Sequence, residues 1–190
     1  MADYMVEEDS GPRAVRYSAL AVAIHWGSAV LILTQVYLGF AFHDLPKGTP
    51  ERAELFTWHK TVGALILLLA LARLAVRLID APPPYPENMA KWERRAAVWS
   101  HRLLYFLMIA LPLTGLAAVS KGAKGGMTEL AFGIWFPVVP IPAIGEAHEL
   151  LVFAMIGLLA IHVLAALKNQ FVTGGPVAGR MPPFRATDRS

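Results

Sequence analysis

The chain alternates between four long apolar tracts and shorter polar segments. The tracts run approximately Ser18–Phe42, Trp58–Ile79, Ala97–Ser120 and Ala147–Leu167. Each is close to the ~20 residues that an α-helix needs to cross the hydrocarbon core of a bilayer. The pattern therefore predicts an all-α fold: an integral membrane four-helix bundle over residues 18–168, flanked by tails at 1–17 and 169–190.

The three connections between the tracts differ in composition. The first, His43–Thr57, is polar and carries Pro and Gly, so we predict a loop in which His43 is exposed. The second, Asp80–Trp99, combines prolines with charged residues and tryptophan, which predicts an amphipathic turn or short helix at the membrane surface. The third, Lys121–Gly145, has aromatic residues that we expect in the headgroup belt. They are Phe132, Trp135 and Phe136.

The positions of the 17 Lys and Arg residues predict the orientation of the bundle. Most lie near the termini or the second connection. The remaining five lie in or beside the first and third connections, and they are Lys47, Arg52, Lys60, Lys121 and Lys124. Because cytoplasmic segments carry the excess of positive charge, both termini are predicted to be cytoplasmic. The predicted topology accounts for the excess of basic over acidic residues, so no nucleic-acid partner is predicted.

The composition of the chain is typical of a membrane protein, and it excludes several kinds of redox centre. The chain is 56% hydrophobic and 16% charged, which is unlike a soluble domain. It contains no cysteine, so disulfides, iron–sulfur ligation and the thioether attachment of c-type haem are excluded. The N-terminal segment is polar and the first tract is too long for a signal-peptide core. No cleavable signal peptide is therefore predicted.

Five of the six histidines fall at two predicted depths. His148 and His162 lie 14 residues apart on the fourth predicted helix, a spacing that returns to nearly the same face after a rise of about 21 Å. Because successive helices run in opposite directions, His59 joins His148 in an outer layer. His25 and His101 join His162 in a cytoplasmic layer.

Imidazoles at one depth on neighbouring helices suit a haem with two axial histidines, one on each face of the macrocycle. An intramembrane histidine can also hydrogen-bond across helices, relay protons or bind a simple metal. The matched depths favour haem ligation, because packing alone does not explain them. The outer pair is then His59 with His148, whereas spacing leaves the cytoplasmic pair open among His25, His101 and His162.

The residues around the histidines allow two interpretations. Glycines would let a porphyrin pass close to a helix backbone, although glycine is also common in membrane helix packing. Those in the tracts are Gly27, Gly39, Gly63, Gly115 and Gly157. Cations near the membrane faces could pair with haem propionates, or they could instead snorkel and set the topology. These are Arg16, Lys60, Arg73 and Arg102.

Short motifs along the chain resemble one known family. They are Arg16-Tyr17-Ser18, Ile24-His25-Trp26, Trp58-His59-Lys60-Thr61-Val62-Gly63, His101 leading Leu103-Leu104-Tyr105, Ala110-Leu111-Pro112-Leu113-Thr114-Gly115, Ala147-His148-Glu149 and His162. In order and spacing they resemble the bacterial cytochrome b561 family, over about Arg16 to Pro183. That family is related to the cytochrome b subunits of nickel–iron hydrogenases and formate dehydrogenases.

The resemblance implies a membrane domain that binds two b-type haems and exchanges electrons with quinone. It assigns His25 and His162 to the cytoplasmic haem, and His59 and His148 to the outer haem. It assigns no catalytic residue. Relatives can carry histidines shortly after the last ligand, near a proposed quinone pocket, where this chain has Lys168-Asn169-Gln170. The candidates for contact with quinone or with the ligands are His101, Lys168 and Asn169.

Three functions follow from these observations. Stand-alone members of the family resemble superoxide oxidases, so the predicted function is electron transfer from superoxide to ubiquinone in the bacterial inner membrane. The alternative is an electron-transfer subunit that docks a separate dehydrogenase or a periplasmic redox protein. The third is a haem-free proton or metal transporter that uses the same histidines.

Overall fold

The computed structural model describes residues 16–80, 83–87, 89–119, 125–138, 141, 144–174 and 177–184. Its four long helices are α1 Ala19–Asp44, α2 Pro50–Ile79, α3 Lys91–Ala118 and α4 Ile144–Phe171. Between α3 and α4 the chain forms two short strands, β1 Met127–Glu129 and β2 Trp135–Pro137. Short 3-10 turns cover Ala131–Gly133 and Ala178–Arg180. All four helices are long and apolar enough to cross a membrane, which confirms the predicted four-helix membrane fold.

The predicted loop over His43–Thr57 is wrong for most of its length. α1 continues to Asp44 and α2 already begins at Pro50. The Thr49 side chain caps α2 by accepting a hydrogen bond from the Arg52 backbone N–H at 3.4 Å. Proline suits the first helical turn, where its missing N–H has no intrahelical partner to lose. These local capping residues extend the helix well beyond the apolar tract.

Arg52 links the start of α2 to the end of α1 across the first connection. Its guanidinium donates hydrogen bonds to three carbonyls at the end of α1, those of Phe42, His43 and Leu45. These carbonyls have no partner within the helix, and a cation near a helix C-terminus is electrostatically favourable. The His43 side chain is exposed as predicted, but it lies in the last turn of α1 instead of in a loop.

The second connection is also shorter than predicted. α3 begins at Lys91, so the charged segment within Asp80–Trp99 forms its first turns instead of a separate surface turn or short helix. The helix then runs without interruption through Pro112 to Ala118.

The third connection contains a hairpin that the sequence pattern did not predict. β1 and β2 pair antiparallel. The hairpin is held against α2, where Lys60 Nζ donates to the Glu129 carbonyl at 2.6 Å. The Ala131 backbone N–H donates to Thr61 Oγ1 at 2.8 Å. The hairpin therefore lies beside the helical turn that carries His59.

Aromatic rings project from this hairpin. The Phe132 side chain is 84% exposed, and its ring makes an edge-on contact with Trp58 at a centroid distance of 5.5 Å. Trp135 is also exposed. Their place in the headgroup belt stays a prediction. Lys121 and Lys124 lie outside the described residues.

The core lies between α1, α2 and α3, with a small contribution from α4. Its buried apolar side chains are Ile32, Leu38, Val62, Ile66, Ala70, Leu107, Met108 and Met155. Met155 is the one buried residue of α4. The outer faces of the helices expose large apolar side chains, as expected for a bundle surrounded by lipid.

Candidate functional site

The histidines at the end of the bundle where α1 begins and α4 ends form one cluster. His25 comes from α1, His101 from α3 and His162 from α4. The ring centroids of His25 and His162 are 6.4 Å apart, and those of His101 and His162 are 5.3 Å apart. All three side chains are partly buried. We call these three residues the inner layer.

At the opposite end, His59 from α2 approaches His148 from α4. Their ring centroids are 6.5 Å apart. We call this pair the outer layer. The structure thus brings together the same histidines that the sequence grouped by depth.

The donor set fits haem better than a simple metal ion. Metal–nitrogen bonds of about 2.1 Å on opposite sides of one ion put two imidazole centroids roughly 6 Å apart. The His25–His162 and His59–His148 separations of 6.4 Å and 6.5 Å match this distance. Within the described residues, no group of three or more metal-binding side chains could hold an ion. Two axial nitrogens suit a macrocycle, which supplies the remaining ligands itself.

A threonine orients His148 in the outer layer. Thr114 Oγ1 lies 3.0 Å from His148 Nδ1 and also 2.8 Å from the Ala110 carbonyl. The hydroxyl donates its single proton to the carbonyl, so its oxygen accepts from the Nδ1–H of His148. This leaves a lone pair on Nε2, the arrangement expected of a metal-binding histidine.

A glutamine amide contacts the other ring of the outer layer. Gln35 Nε2 lies 3.1 Å from His59 Nε2. Because an amide nitrogen can only donate, His59 Nε2 is the acceptor, and the ring proton is on Nδ1. Gln35 Oε1 and His59 Nδ1 are buried without a partner in the described chain. Buried polar groups without partners are costly in a membrane. Their presence here is therefore typical of a functional site.

Glycines make room for these outer side chains. A Cβ on Gly115 would lie 3.0 Å from His148 Cε1, and one on Gly39 would lie 3.3 Å from His59 Cε1. A Cβ on Gly63 would meet Gln35 Nε2 at 3.1 Å. In contrast, one on Gly27 would make only an ordinary contact at 3.8 Å, and one on Gly157 would meet nothing within 4 Å.

An arginine and a tyrosine border the inner layer. Arg73 donates one hydrogen bond to His25 Nδ1 at 2.9 Å and another to the Tyr105 hydroxyl at 2.9 Å. The Arg77 guanidinium lies over the Tyr105 ring, 5.6 Å from its centroid. Among the described residues, the inner layer therefore has a guanidinium bonded to one of its histidines, whereas the outer histidines contact an amide and a hydroxyl.

The inner layer opens into a cavity of about 610 Å³, lined by all three of its histidines together with Arg73 and Arg77. Trp92, Glu93 and Lys168 line the side where α3 begins and α4 ends. Lys168 Nζ forms an ion pair with Glu93 at 2.9 Å. A cavity of this size is in the range of cofactor and ligand sites.

Residues 177–184 cover this cavity, and we call them the inner cover. Asn169 Oδ1 accepts hydrogen bonds from the backbone N–H groups of Val177 and Ala178 at 3.1 Å and 2.8 Å. The Trp26 indole N–H donates to the Pro182 carbonyl at 2.5 Å. The Arg180 guanidinium donates to the Pro84 carbonyl. Asn169, a predicted quinone contact, is thus occupied in holding the chain that follows α4.

Asn169→Ala is expected to loosen the inner cover without disturbing the helices. Each lost hydrogen bond is worth about 1 kcal/mol, so amide hydrogen exchange at Val177 and Ala178 should accelerate roughly 5- to 10-fold. Asn169→Asp is the control, since it retains an acceptor oxygen and should keep most of the protection. Equal protection in the native and alanine proteins would contradict this role.

Comparison with known proteins identifies the family. The family profile described as prokaryotic cytochrome b561 matches residues 16–183. The chain belongs to the prokaryotic cytochrome b561 family. Cytochrome b561 homolog 1 of Escherichia coli K12 is 29% identical over 180 residues, covering 90% of this chain and 98% of that protein. Cytochrome b561 homolog 2 of the same strain is 26% identical over 174 residues, covering 87% and 90%.

A further relative has a more specific name. The protein named "Probable superoxide oxidase CybB" in Yersinia pestis is 27% identical over 178 residues, covering 88% of this chain and 96% of its own. Family membership confirms the resemblance deduced from the motifs. This cytochrome b561 is a multi-pass membrane haem protein of electron transport.

The four cations predicted to contact propionates occupy different surroundings in this cytochrome b561. Arg73 is the one that contacts a predicted ligand. Lys60 lies beside His59 in sequence, but its ammonium group is bonded to the hairpin. Arg16 and Arg102 are exposed, and the Arg102 guanidinium lies 5.2 Å from the centre of the Trp99 ring.

Sequence reasoning did not single out Gln35, or give Thr114 and Tyr105 roles of their own. Gln35 could have been noticed, because it is an amide in the middle of an apolar tract. Thr114 and Tyr105 lie within the motifs that resemble the family. Their partners come from other helices and are evident only from the fold.

Proposed function

We propose that this cytochrome b561 holds two b haems, one in each layer, and transfers electrons across the membrane from superoxide to ubiquinone. The outer haem would be held by His59 and His148, and the inner haem by His25 and His162. The observation that carries the proposal is the pair of nearly equal ring separations, 6.5 Å and 6.4 Å, at opposite ends of one bundle. The family profile supports the cofactor class.

The proposed roles of the residues follow from their contacts. Haem supplies the one-electron chemistry when it is bound. Thr114 keeps the Nε2 lone pair of His148 available in the outer layer. Gln35 keeps the ring proton of His59 on Nδ1, and the haem iron would take the place of the Gln35 amide at His59 Nε2. Gly39 and Gly115 leave these rings space. Arg73 offers the inner layer a cation that can pair with a propionate.

The proposed substrates are supported by the name of the Yersinia relative and by the chemistry of the two ends. Two superoxide anions would each lose one electron at the outer face and leave as dioxygen. Ubiquinone would take up these two electrons with two protons to give the quinol. The inner cavity, which Trp92 and Lys168 line where α3 begins and α4 ends, is the proposed place of quinone approach.

The proposed location is the bacterial inner membrane, with both termini cytoplasmic. Its support is the excess of Lys and Arg near the termini and the second connection. The inner layer would then face the cytoplasm, and the hairpin would lie on the periplasmic side.

The first test is the haem content of the purified protein. A pyridine adduct assay should give about two b haems per polypeptide, and the reduced-minus-oxidised spectrum should be that of bis-histidine centres. Superoxide should then reduce the haems rapidly, and added ubiquinone should reoxidise them. One haem or none would contradict the two-site proposal. Two haems that superoxide does not reduce would favour a separate donor protein.

Thr114→Val is expected to weaken the outer haem site selectively. It removes the acceptor that orients His148, and loss of such a contact typically lowers metal affinity by about 10-fold or more. Haem titration of the purified apoprotein measures the effect. Thr34→Val is a matched control, because Thr34 makes the same hydrogen bond to the carbonyl four residues earlier but is exposed. Equal affinities in both variants would contradict the orienting role.

A further inference from the structure

The inner layer contains one more imidazole than a bis-histidine site needs. His162 is flanked by His25 at 6.4 Å and by His101 at 5.3 Å. In the described chain, the outer pair has no third histidine in ring contact. Titratable groups inside membrane helices are costly to bury, so a spare imidazole at this depth requires an explanation.

His25 is not fixed as a ligand by its contacts. Arg73 donates to His25 Nδ1, and a guanidinium cannot accept a hydrogen bond. The neutral ring therefore has its proton on Nε2, whereas coordination through Nε2 requires a lone pair there. This is the reverse of His148, which Thr114 leaves in the coordinating tautomer. His25 must exchange its hydrogen bond to Arg73 before its Nε2 can bind iron.

His101 needs little movement to take the same position. Its ring centroid is about 1 Å closer to His162 than the roughly 6 Å expected for two imidazoles that share an iron. It lies on α3, whereas His25 lies on α1, and both histidines line the same cavity.

We propose that His101 is an alternative axial partner of His162, so that the inner haem can be held by His162 with either His25 or His101. This inference rests on the proposed two-haem function. One imidazole leaves as the other binds, so the coordination number and the oxidation state are unchanged. The outer layer has no such replacement.

The test compares haem content and spin state in four variants of the full-length protein. His25→Ala and His101→Ala should each retain about two low-spin haems per polypeptide, because one partner of His162 remains. The double variant His25→Ala/His101→Ala should retain only about one low-spin haem. His59→Ala is the matched control in the outer layer and should also fall to about one.

Loss of the inner low-spin haem in His25→Ala to the same extent as in the double variant would overturn the proposal. Its loss in His101→Ala alone would also overturn it, since His101 would then be the sole partner. A native protein with fewer than two haems would contradict the proposed function itself. If the alanine variants aggregate, His25→Gln with and without His101→Ala provides the same comparison, and equal haem loss in both would again contradict the proposal.

Discussion

Replacing His148 with alanine is expected to remove about half of the bound haem from this cytochrome b561. His148 is one of the two outer imidazoles, and no third histidine ring contacts this pair in the described residues. The outer site would lose one of its proposed ligands, whereas His162 of the inner layer lies about four helical turns away along α4. The measurement is haem b per polypeptide, with the reduced-minus-oxidised spectrum of the same sample.

The control for this variant is His43→Ala. His43 is exposed in the last turn of α1, and its removal should leave the haem content unchanged. Full haem content in His148→Ala would mean that another residue completes the outer site. Loss of all haem would mean that the layers do not bind independently.

The second large effect is expected from a change that removes no ligand. In Gly115→Val, the new Cβ would lie 3.0 Å from His148 Cε1, too close for the ring to keep its position. The branched side chain would push the imidazole from the place where it faces His59. We expect loss of the outer haem, to about one haem per polypeptide, measured by the pyridine adduct assay.

Gly157→Val is the matched control. Gly157 is also a glycine in a membrane-spanning helix, but an added Cβ there meets nothing within 4 Å. Valine at this position should therefore keep the native haem content. Similar haem loss in the two variants would point to a general effect of valine on the helices and would contradict the steric argument at His148.

The grouping of the histidines could be predicted from sequence because it depends only on helical geometry. Residues 14 apart return to nearly the same face of a helix, so the positions of His148 and His162 follow once α4 is recognised. The helix ends were predicted less well. Apolar tracts mark the hydrocarbon core, but capping residues such as Thr49 and the polar first turns of α3 lie outside it.

The hairpin and the partners of the histidines could not be read from the sequence. Strands of three residues are too short to show alternation. The hairpin is held by Lys60 and Thr61 from a distant part of the chain. The same is true of Gln35, Thr114 and Arg73, since each contacts a histidine on another helix. Such pairs depend on how the helices pack and not on local spacing.

The distribution of the histidines over the helices also has a consequence for how the protein is made. The His25–His162 and His59–His148 pairs each take one member from the α1–α2 half and the other from α4, which is the last of the four helices to leave the ribosome. A nascent chain that ends before α4 therefore has no complete axial pair in either layer. Haem insertion would then follow the completion of the last helix, and the cofactors would join the early and late halves of the chain.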